Sequence, residues 1–262
     1  MERAELVCET GRIIENSAVG PNLYVMRIES PRIAQTVQPG QFIHLRVPGM
    51  EGHILRRPFS IYDVVVPSGC LDVLYQERGF GSRHMTHLVA NQLVDNIGPV
   101  GRGWSLPQDI TRVLIVGGGV GAAPLLMQTR ALVSAGVVVD VVLGAQTKNT
   151  LVTLDRFEAT GAHIHVATDD GSSGVAGFCT IPAAELLEAH HYDLVACCGP
   201  EPLMRRIADT AHQAGVYCEV SLERRMACGV GACLSCVVET SKGRQRACVD
   251  GPIFNAREVV WS

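Results

Sequence analysis

The sequence predicts a protein that combines an all-β part with an α/β part: an N-terminal antiparallel β-barrel, a central parallel-sheet α/β domain and a small C-terminal cysteine-rich domain. Three observations support this class. Short β-prone runs separated by turn residues fill the first hundred residues. A strand, glycine loop and helix begin near residue 112, and four cysteines fall within 21 residues near the end of the chain. We expect the domains to span residues 1–104, 105–215 and 216–262.

The predicted barrel is built from short strands at regular spacing. Leu23–Ile28, Phe42–Val47 and Leu71–Tyr75 are rich in β-branched and apolar residues, and Pro-Gly or Ser-Gly pairs separate them. Many short strands at this spacing are typical of a small antiparallel barrel.

Two motifs in the barrel have side chains suited to a phosphate. Arg56-Arg57-Pro58-Phe59-Ser60 places guanidinium groups beside a proline-stiffened strand and a hydroxyl, which suits the pyrophosphate and ring of a flavin. Gly79-Phe80-Gly81-Ser82 predicts a turn into a helix at about Arg83–Leu88, where backbone N–H groups reach a phosphate. Each motif alone also fits a surface arginine or an ordinary turn. The turn-rich stretch Gly98–Gly103 is interpreted as the domain boundary, without chemistry of its own.

The α/β part opens with a βαβ unit. Val113–Val116 is a buried strand, a glycine loop runs from Gly117 to Pro124, a helix is expected at Leu125–Ser134 and a second strand at Val137–Leu143. The loop forms a phosphate-sized concavity at the helix start. It departs from the G-x-G-x-x-G fingerprint because Pro124 stands where the third glycine would be. Asp140 lies inside the strand, so we expect it to face solvent or a helix rather than a ribose.

The remaining repeats continue the α/β pattern. Helices are expected at Leu151–Ala159, Ala183–Ala189 and Leu203–Ala214, and strands at His163–Ala167, Leu194–Cys198 and Tyr217–Ser221. Cys198 ends its strand on the side of a parallel sheet where ligands bind. A packing role for this thiol is the alternative. His163, His165, His190 and His191 show no ligand-like spacing with the cysteines and are interpreted as surface or core residues.

The C-terminal cysteines have the spacing of an iron–sulfur site. Cys228, Cys233 and Cys236 follow C-x4-C-x2-C, the plant-type pattern for a [2Fe–2S] cluster, and Cys248 is the fourth thiol. A four-thiolate zinc site is an alternative, although zinc sites usually use two short C-x2-4-C pairs and only one occurs here. Four unconnected buried thiols are the third possibility. The cluster interpretation indicates an electron carrier.

Composition excludes some other classes of function. Apolar residues make up 47% of the chain and charged residues 18%, and the net charge of −4 gives no reason to expect nucleic acid or an anionic membrane as a partner. Residues 1–5 lack a secretory signature. The other six cysteines are scattered like reduced thiols, which favours a cytoplasmic location.

Taken in order, Arg57-Pro-Phe-Ser60, the glycine loop 117–124 and Cys198-Gly-Pro-x-Pro resemble the ferredoxin–NADP reductase superfamily, in which an FAD-binding barrel is joined to a pyridine-nucleotide domain. The C-terminal segment, with Asp250-Gly-Pro-x-Phe254 after the last cysteine, is similar to the electron-transfer subunits of NAD-linked dihydroorotate dehydrogenase B. The resemblance covers essentially the full length of the chain.

The resemblance implies three cofactors, FAD, a [2Fe–2S] cluster and NAD, and assigns residues to each of them. For FAD the matching residues are Arg57, Pro58, Phe59, Ser60, Leu74, Tyr75, Gln76, Gly81 and Ser82. For NAD they are Gly118, Gly119 and Gly121, with Cys198 beside the nicotinamide and flavin rings as the catalytic-site thiol. For the cluster they are Cys228, Cys233, Cys236 and Cys248.

The implied function is transfer of electrons from an FMN-containing dihydroorotate dehydrogenase subunit, through the cluster and FAD, to NAD⁺, in a heterotetramer of two plus two subunits. No residue set for orotate is found in the sequence, which fits a division of labour between subunits. A flavin is needed between the other two carriers because nicotinamide exchanges electron pairs and a cluster exchanges single electrons. The alternatives are a subunit of another complex, of the NADH-dependent ferredoxin:NADP oxidoreductase or sulfide dehydrogenase type, and a zinc-stabilised interaction module. Lys148, in the loop expected to face adenosine, leaves the choice between NAD and NADP open.

Overall fold

The computed structural model describes residues 5–261. Residues 1–4 and residue 262 lie outside the described residues. Most of the N-terminal segment that lacks a secretory signature is therefore not described. The described chain forms two seven-stranded sheets and a two-stranded hairpin.

The first sheet is antiparallel and comes entirely from the N-terminal part of the chain. Its strands are β1 (Val7–Gly20), β2 (Leu23–Glu29), β3 (Phe42–Arg46), β4 (Arg57–Ser60), β5 (Asp63–Val65), β6 (Cys70–Gln76) and β7 (Leu93–Val100). They lie in the order β4-β3-β7-β1-β2-β6-β5. The three strands expected from sequence are confirmed to within one or two residues. Half of the stretch expected as a boundary, from Gly98 to Val100, instead completes β7.

The first sheet curls until the end strand β4 meets β6, the strand next to the opposite end, through side chains. Phe59 on β4 packs edge-on against Tyr75 on β6, with 6.0 Å between ring centroids. Alternate residues point inward, so that fully buried Met26, Ile28 and Val73 fill the interior. Two short helices, α1 (Pro31–Thr36) and α2 (Phe80–Met85), accompany the sheet.

Helix α2 begins three residues earlier than the predicted Arg83. Gly79 is extended at the N-cap, and the Ser82 hydroxyl accepts hydrogen bonds from the backbone N–H groups of Arg78 (2.8 Å) and Gly79 (3.1 Å). Because the serine satisfies donors that precede the first turn, the helix starts directly after Gly79.

The second sheet is parallel except at one edge. Its strands are β8 (Arg112–Gly118), β9 (Val138–Ala145), β10 (His163–Thr168), β11 (Val175–Ala176), β12 (Leu194–Cys198), β13 (Tyr217–Ser221) and, after the hairpin β14 (Val237–Thr240) and β15 (Gly243–Arg246), the strand β16 (Ile253–Asn255). They lie in the order β11-β10-β9-β8-β12-β13-β16, and only β16 runs antiparallel to its neighbour.

Four helices connect the parallel strands: α3 (Leu126–Ser134), α4 (Leu154–Glu158), α5 (Thr180–Ala189) and α6 (Glu201–Gln213). Two of them begin before the positions expected from sequence. Pro182 and Pro202 lie in the first turns of α5 and α6, where a missing N–H costs nothing because those donors have no intrahelical partner. Helix α4 is shorter than the predicted Leu151–Ala159, because residues 152–153 form a turn and the helix begins only at Leu154.

Apolar side chains on the two faces of this sheet join the three parts of the chain. One cluster contains Leu74 and Trp104 together with Ala122 and Cys198. The other contains Phe42, Val220, Cys236 and Cys248. The cysteine-rich segment therefore shares a core with the parallel sheet. Strand β13, which falls within the predicted third domain, pairs with β12 in this sheet.

An ionic network crosses from the barrel to helix α4. Asp72 on β6 accepts two hydrogen bonds from Arg27, at 2.7 and 2.9 Å, and one from Arg156, at 2.8 Å. Asp63 on β5 is paired with Arg130 of α3, at 2.7 Å. The guanidinium of Arg156 also lies 4.7 Å from the ring centre of Tyr62.

Within residues 5–261, no helix is long and apolar enough to cross a bilayer.

Candidate functional site

The two phosphate-type motifs of the barrel, separated in sequence, lie against each other. Gly81 packs on the guanidinium of Arg57, and a Cβ at position 81 would fall 2.8 Å from Arg57 Nε. Only glycine therefore leaves the guanidinium free beside the start of α2. Arg57 Nη1 also donates to the carbonyl of Leu55, which orients the side chain.

The rest of the Arg57–Ser60 strand lines the same edge. Pro58 is exposed, whereas Phe59 and Ser60 are half-buried. Phe59 contacts Tyr75, whose ring also stacks on Tyr24 at a centroid distance of 5.4 Å. The strand expected to line a flavin thus joins β4 through an aromatic contact.

Strand β6 also connects this edge to the nucleotide-type loop. Leu74 is 5% exposed and packs in the cluster that includes Ala122 and Ala123 of the glycine loop. Gln76 is half-buried at the strand end, where its Oε1 accepts a 2.7 Å hydrogen bond from Arg78. Leu74 therefore lies against the glycine loop, whereas Tyr75 is buried in the barrel core with Phe59 packed against it.

The glycine loop lies directly on the turn that follows β12. A Cβ at Gly121 would fall 2.6 Å from the Cα of Gly199, and a Cβ at Gly118 would fall 2.5 Å from Leu203. The predicted nucleotide loop and the Cys198-Gly-Pro motif therefore form one surface. Gly119 has a φ of +56° and nothing within 4 Å of its Cβ direction, so its backbone faces an open space. Such a cradle of bare backbone suits a phosphate.

Cys198 lies inside this junction, at 3% exposure. Its Sγ is 3.7 Å from the carbonyl oxygen of Ser221, to which the thiol donates. Burial raises the pKa of Cys198 to about 12, so the group is a neutral thiol at pH 7. The arrangement suits packing against a ring rather than attack by a thiolate.

The four cysteines of the C-terminal motif occur as two pairs. Cys236 and Cys248 are buried, with their sulfurs 3.3 Å apart. Cys228 is half-buried and Cys233 exposed, and the backbone N–H of Cys233 lies 3.4 Å from Cys228 Sγ. Within residues 5–261, no three histidine, cysteine or acidic side chains already lie close enough together to hold a metal ion.

The local chemistry of the loop fits thiolate ligands. Burial opposes ionisation of Cys228, but N–H donors from Val230 and Cys233 outweigh it and lower the pKa of Cys228 to about 6. Gly229 and Gly231 have φ values of +69° and +90°, which turn the backbone so that its N–H groups face the sulfur. The donors that a cluster requires around its sulfurs are therefore already present on the loop.

The basic residues near the cysteines are mostly paired with acids. Lys242 contacts Glu258 at 2.7 Å, Arg244 contacts Glu239 at 2.8 Å, and Arg224 contacts Glu201 at 3.6 Å. Arg246 differs because, besides Asp250, it donates to the carbonyl of Gly231 at 3.2 Å. This arginine anchors the ligand loop, and most of the remaining positive charge is neutralised locally.

Two residues behave differently from what the sequence indicated. The solvent-facing alternative for Asp140 is wrong, because its side chain is buried and bonded to Arg112 and Tyr192, each at 2.9 Å. His44 drew no attention, yet it is fully buried in β3 and lies against Gly229. The one signal for it is a histidine between two apolar residues, Ile43 and Leu45, in a strand with both faces covered.

Comparisons with known proteins agree with this arrangement. Residues 223–260 match the family model described as the iron–sulfur cluster binding domain of dihydroorotate dehydrogenase B. The chain is 40% identical over 251 residues to the dihydroorotate dehydrogenase B (NAD(+)) electron transfer subunit of Desulforamulus reducens, covering 93% of this chain and 94% of that one. It is 37% identical over 250 residues to the same subunit of Geobacillus kaustophilus, covering 92% and 94%.

Solved structures show the same fold. The structure of an NADH-dependent reduced ferredoxin–NADP oxidoreductase superposes with a TM-score of 0.88 at 30% identity, covering 96% of this chain and 90% of that one. An Amycolatopsis cytochrome P450 reductase matches with a TM-score of 0.70 at 20% identity, over 81% of this chain and 67% of that one, which supports the fold alone. On the strength of the near full-length matches, the chain belongs to the family of electron transfer subunits of NAD-linked dihydroorotate dehydrogenase B.

Proposed function

We propose that this chain accepts electrons from an FMN-containing catalytic subunit that oxidises dihydroorotate to orotate and delivers them to NAD⁺, using a [2Fe–2S] cluster and FAD. The observation that carries the proposal is the placement of the four-cysteine segment in the same core as a flavin-type barrel and a nucleotide-type sheet. The 40% identity to an electron transfer subunit over 93% of the chain supports it. We assign the three functional units to residues 1–104, 105–215 and 216–262.

FAD is assigned to the edge formed by β4, β6 and the start of α2. Arg57 supplies a forked donor for the pyrophosphate, and Gly81 leaves room for it. Ser82 fixes the turn through its hydrogen bonds to the N–H groups of Arg78 and Gly79. Pro58, Phe59, Ser60, Leu74, Tyr75 and Gln76 are assigned to the ring and its flanks. When bound, FAD supplies the exchange of electron pairs with nicotinamide and of single electrons with an iron–sulfur centre.

NAD is assigned to the glycine loop. Gly118 and Gly121 allow the loop to lie on the turn after β12, and Gly119 presents its backbone to the open side. Cys198 is assigned a position beside the reacting rings, where the buried, neutral thiol excludes water and offers no competing nucleophile.

The cluster is assigned to Cys228, Cys233, Cys236 and Cys248. The buried pair, Cys236 and Cys248, fixes one side of the site in the core, and the loop with Cys228 and Cys233 closes the other. Backbone N–H groups of Val230 and Cys233 stabilise thiolate at Cys228. A zinc site is disfavoured because the matched family model is that of an iron–sulfur domain.

The exposed side of the cysteine loop is assigned to the catalytic subunit. Val230 and Leu234 are 42% and 63% exposed beside Cys233, and exposed apolar groups next to a redox centre suit a docking face. We further propose a cytoplasmic heterotetramer of two subunits of each kind. Light scattering of the purified complex measures that stoichiometry directly.

The decisive experiment is co-expression with an FMN-containing dihydroorotate dehydrogenase subunit, followed by purification of the complex and assay of dihydroorotate-dependent NAD⁺ reduction. We expect a complex with this activity. Absence of a complex, or a complex without NAD⁺ reduction, contradicts the proposal. Titration with NADH and NADPH, followed by flavin bleaching, determines the nucleotide.

A substitution separates the cofactors. Cys233→Ser should remove iron and acid-labile sulfide while FAD and NADH oxidation by artificial acceptors are retained, because the flavin edge lies on other elements. Cys8→Ser, at an exposed cysteine remote in sequence from the motif, is the matched control. Loss of FAD together with iron in Cys233→Ser contradicts the assignment of separate sites.

A second function is favoured by one observation. The superposition on an NADH-dependent reduced ferredoxin–NADP oxidoreductase, at a TM-score of 0.88, is consistent with an FAD and [2Fe–2S] subunit of such a complex. Tight binding to a different oxidoreductase subunit, with no binding to the dihydroorotate dehydrogenase, would favour this alternative.

A further inference from the structure

A histidine links the flavin strand to the cysteine loop. His44 lies in β3 directly opposite Pro58 of β4, the strand assigned to FAD. Its side chain has 0% exposure, and neither ring nitrogen has a hydrogen-bond partner among residues 5–261. Buried polar atoms are almost always paired, because an unpaired one loses its hydrogen bond to water without a replacement. A histidine in this state indicates a missing partner.

The cysteine loop lies directly on this ring. A Cβ at Gly229 would overlap Nδ1 of His44, so that only glycine allows the loop to approach so closely. Gly229 follows Cys228, and its φ of +69° is the conformation that brings its backbone onto the ring. Among backbone groups, those of Arg56 and Cys228 lie near the ring nitrogens without completing a hydrogen bond of good geometry.

The ring of His44 is therefore positioned to donate a hydrogen bond to an acceptor atom of the bound cluster. Imidazole carries at least one N–H in either protonation state. Cysteine and sulfide sulfurs of iron–sulfur clusters accept hydrogen bonds, and those bonds help to set the reduction potential. We propose that His44 is a positioning residue for the cluster, and that its ring N–H is the donor the barrel provides to the Cys228 side of the [2Fe–2S] site.

This inference rests on the proposed cluster site and adds a residue from another part of the chain to it. Donation to sulfur stabilises the extra negative charge of the reduced form, so His44 holds the cluster at a higher midpoint potential than the loop alone would give. The same residue joins the ligand loop to β4, because its ring lies against Gly229 and its backbone pairs with Pro58.

A measurement on the unsubstituted protein tests proximity. The full chain is produced with ¹⁵N-histidine, the cluster is reduced, and pulsed electron paramagnetic resonance is used to detect nuclei coupled to its unpaired spin. We expect a weakly coupled histidine nitrogen that disappears in His44→Gln. A reduced cluster without any histidine coupling overturns the inference and leaves the cluster assignment intact. Protein without iron and sulfide overturns the proposed cluster site itself.

Substitutions test the donor. His44→Leu should shift the midpoint potential of the cluster to a more negative value and alter its spectrum, with FAD content unchanged. His44→Gln, which retains an N–H donor, should lie closer to the unsubstituted protein. His84→Leu is the control, since the ring of His84 already contacts the carbonyl of Pro48 at 2.9 Å. An unchanged potential in His44→Leu, or equal shifts in His44→Leu and His44→Gln, overturns the donor role. If His44→Leu is insoluble, the hyperfine measurement alone decides.

Discussion

The ionic network around Asp72 makes a quantitative prediction about the joint between barrel and nucleotide sheet. Asp72→Asn keeps the volume of the side chain and removes its charge. The wild-type carboxylate is 2% exposed and accepts three charge-assisted hydrogen bonds, two from Arg27 and one from Arg156. An asparagine leaves both guanidinium groups facing an amide that offers a single acceptor oxygen.

The magnitude follows from the exposure of the partners. Removing one member of a fully buried ion pair costs about 3–5 kcal/mol, and an exposed pair contributes about 0–1 kcal/mol. Arg27 and Arg156 are 37% and 33% exposed, so water compensates both in part. We expect Asp72→Asn to lower the free energy of unfolding by about 2 kcal/mol, which corresponds to a fall in Tm of about 4–8 °C for a chain of this size.

The assay is urea unfolding of the FAD-loaded chain followed by circular dichroism. Arg156→Met provides the second arm of a double-mutant cycle, and we expect the double variant to lose less than the sum of the single losses, because the two residues share a contact. Asp155→Asn, at an exposed acid beside Arg156, is the matched control and should change stability by less than about 0.5 kcal/mol. An Asp72→Asn variant as stable as that control, or strict additivity in the cycle, refutes the reasoning.

Three further perturbations have defined outcomes. Gly121→Ala places a methyl group 2.6 Å from Gly199 and should weaken NADH binding by pushing the two loops apart, with FAD content retained, as measured by flavin bleaching against NADH concentration. Arg57→Met should lower FAD affinity by about ten- to a hundredfold, the value of a charge-assisted hydrogen bond of about 1.5–3 kcal/mol, as measured by equilibrium dialysis of FAD. Burial opposes ionisation of Asp140, but hydrogen bonding, first from Arg112, outweighs it and lowers the pKa of that carboxyl. The stabilisation by ionised Asp140 is full above the unfolded pKa of about 3.9 and is lost as the pH falls through the lower folded pKa. The free energy of unfolding measured with urea should therefore fall less steeply with acid in Asp140→Asn than in the wild type.

Each of the three has a contradicting result. Unchanged NADH binding in Gly121→Ala contradicts the close packing of the loops. Gly52→Ala, at a glycine with open space around it and no left-handed φ, is the control for the same type of substitution. Full FAD occupancy of Arg57→Met under dialysis removes Arg57 from the phosphate site. Parallel pH profiles for wild type and Asp140→Asn contradict the assigned pKa shift.

The sequence predicted element types better than contacts. Strands with a continuous apolar sequence, such as Leu194–Cys198, were predicted with the observed bounds, because a strand buried on both faces consists almost entirely of apolar residues. Helix starts were missed where a side chain or a proline decides the first turn, as at Ser82 and Pro202. Asp140 was misjudged because its partners Arg112 and Tyr192 come from distant parts of the chain.

In the candidate site too, the sequence predicted local motifs but not the contacts between distant residues. Motif spacing indicated the four cysteines, the glycine loop and the Arg57 strand, since each is a local pattern. Contact between Arg57 and Gly81, or between His44 and Gly229, depends on how strands curl and how the third segment folds back. Such contacts have no local signature, so the sequence alone could not supply them.

The pairing of β13 with β16 has a structural consequence for the cysteine segment. The chain leaves the parallel sheet at Ser221 and returns at its cross-strand partner Ile253, so that everything between them is a closed excursion from one sheet edge. The two stems meet at the spacing of neighbouring strands, roughly 5 Å. Insertions or deletions inside this excursion leave the order of the seven strands untouched. Loss of the whole excursion, in contrast, would also remove Cys236 and Cys248 from the core that they share with the sheet, so the cysteine segment and the sheet depend on each other for burial.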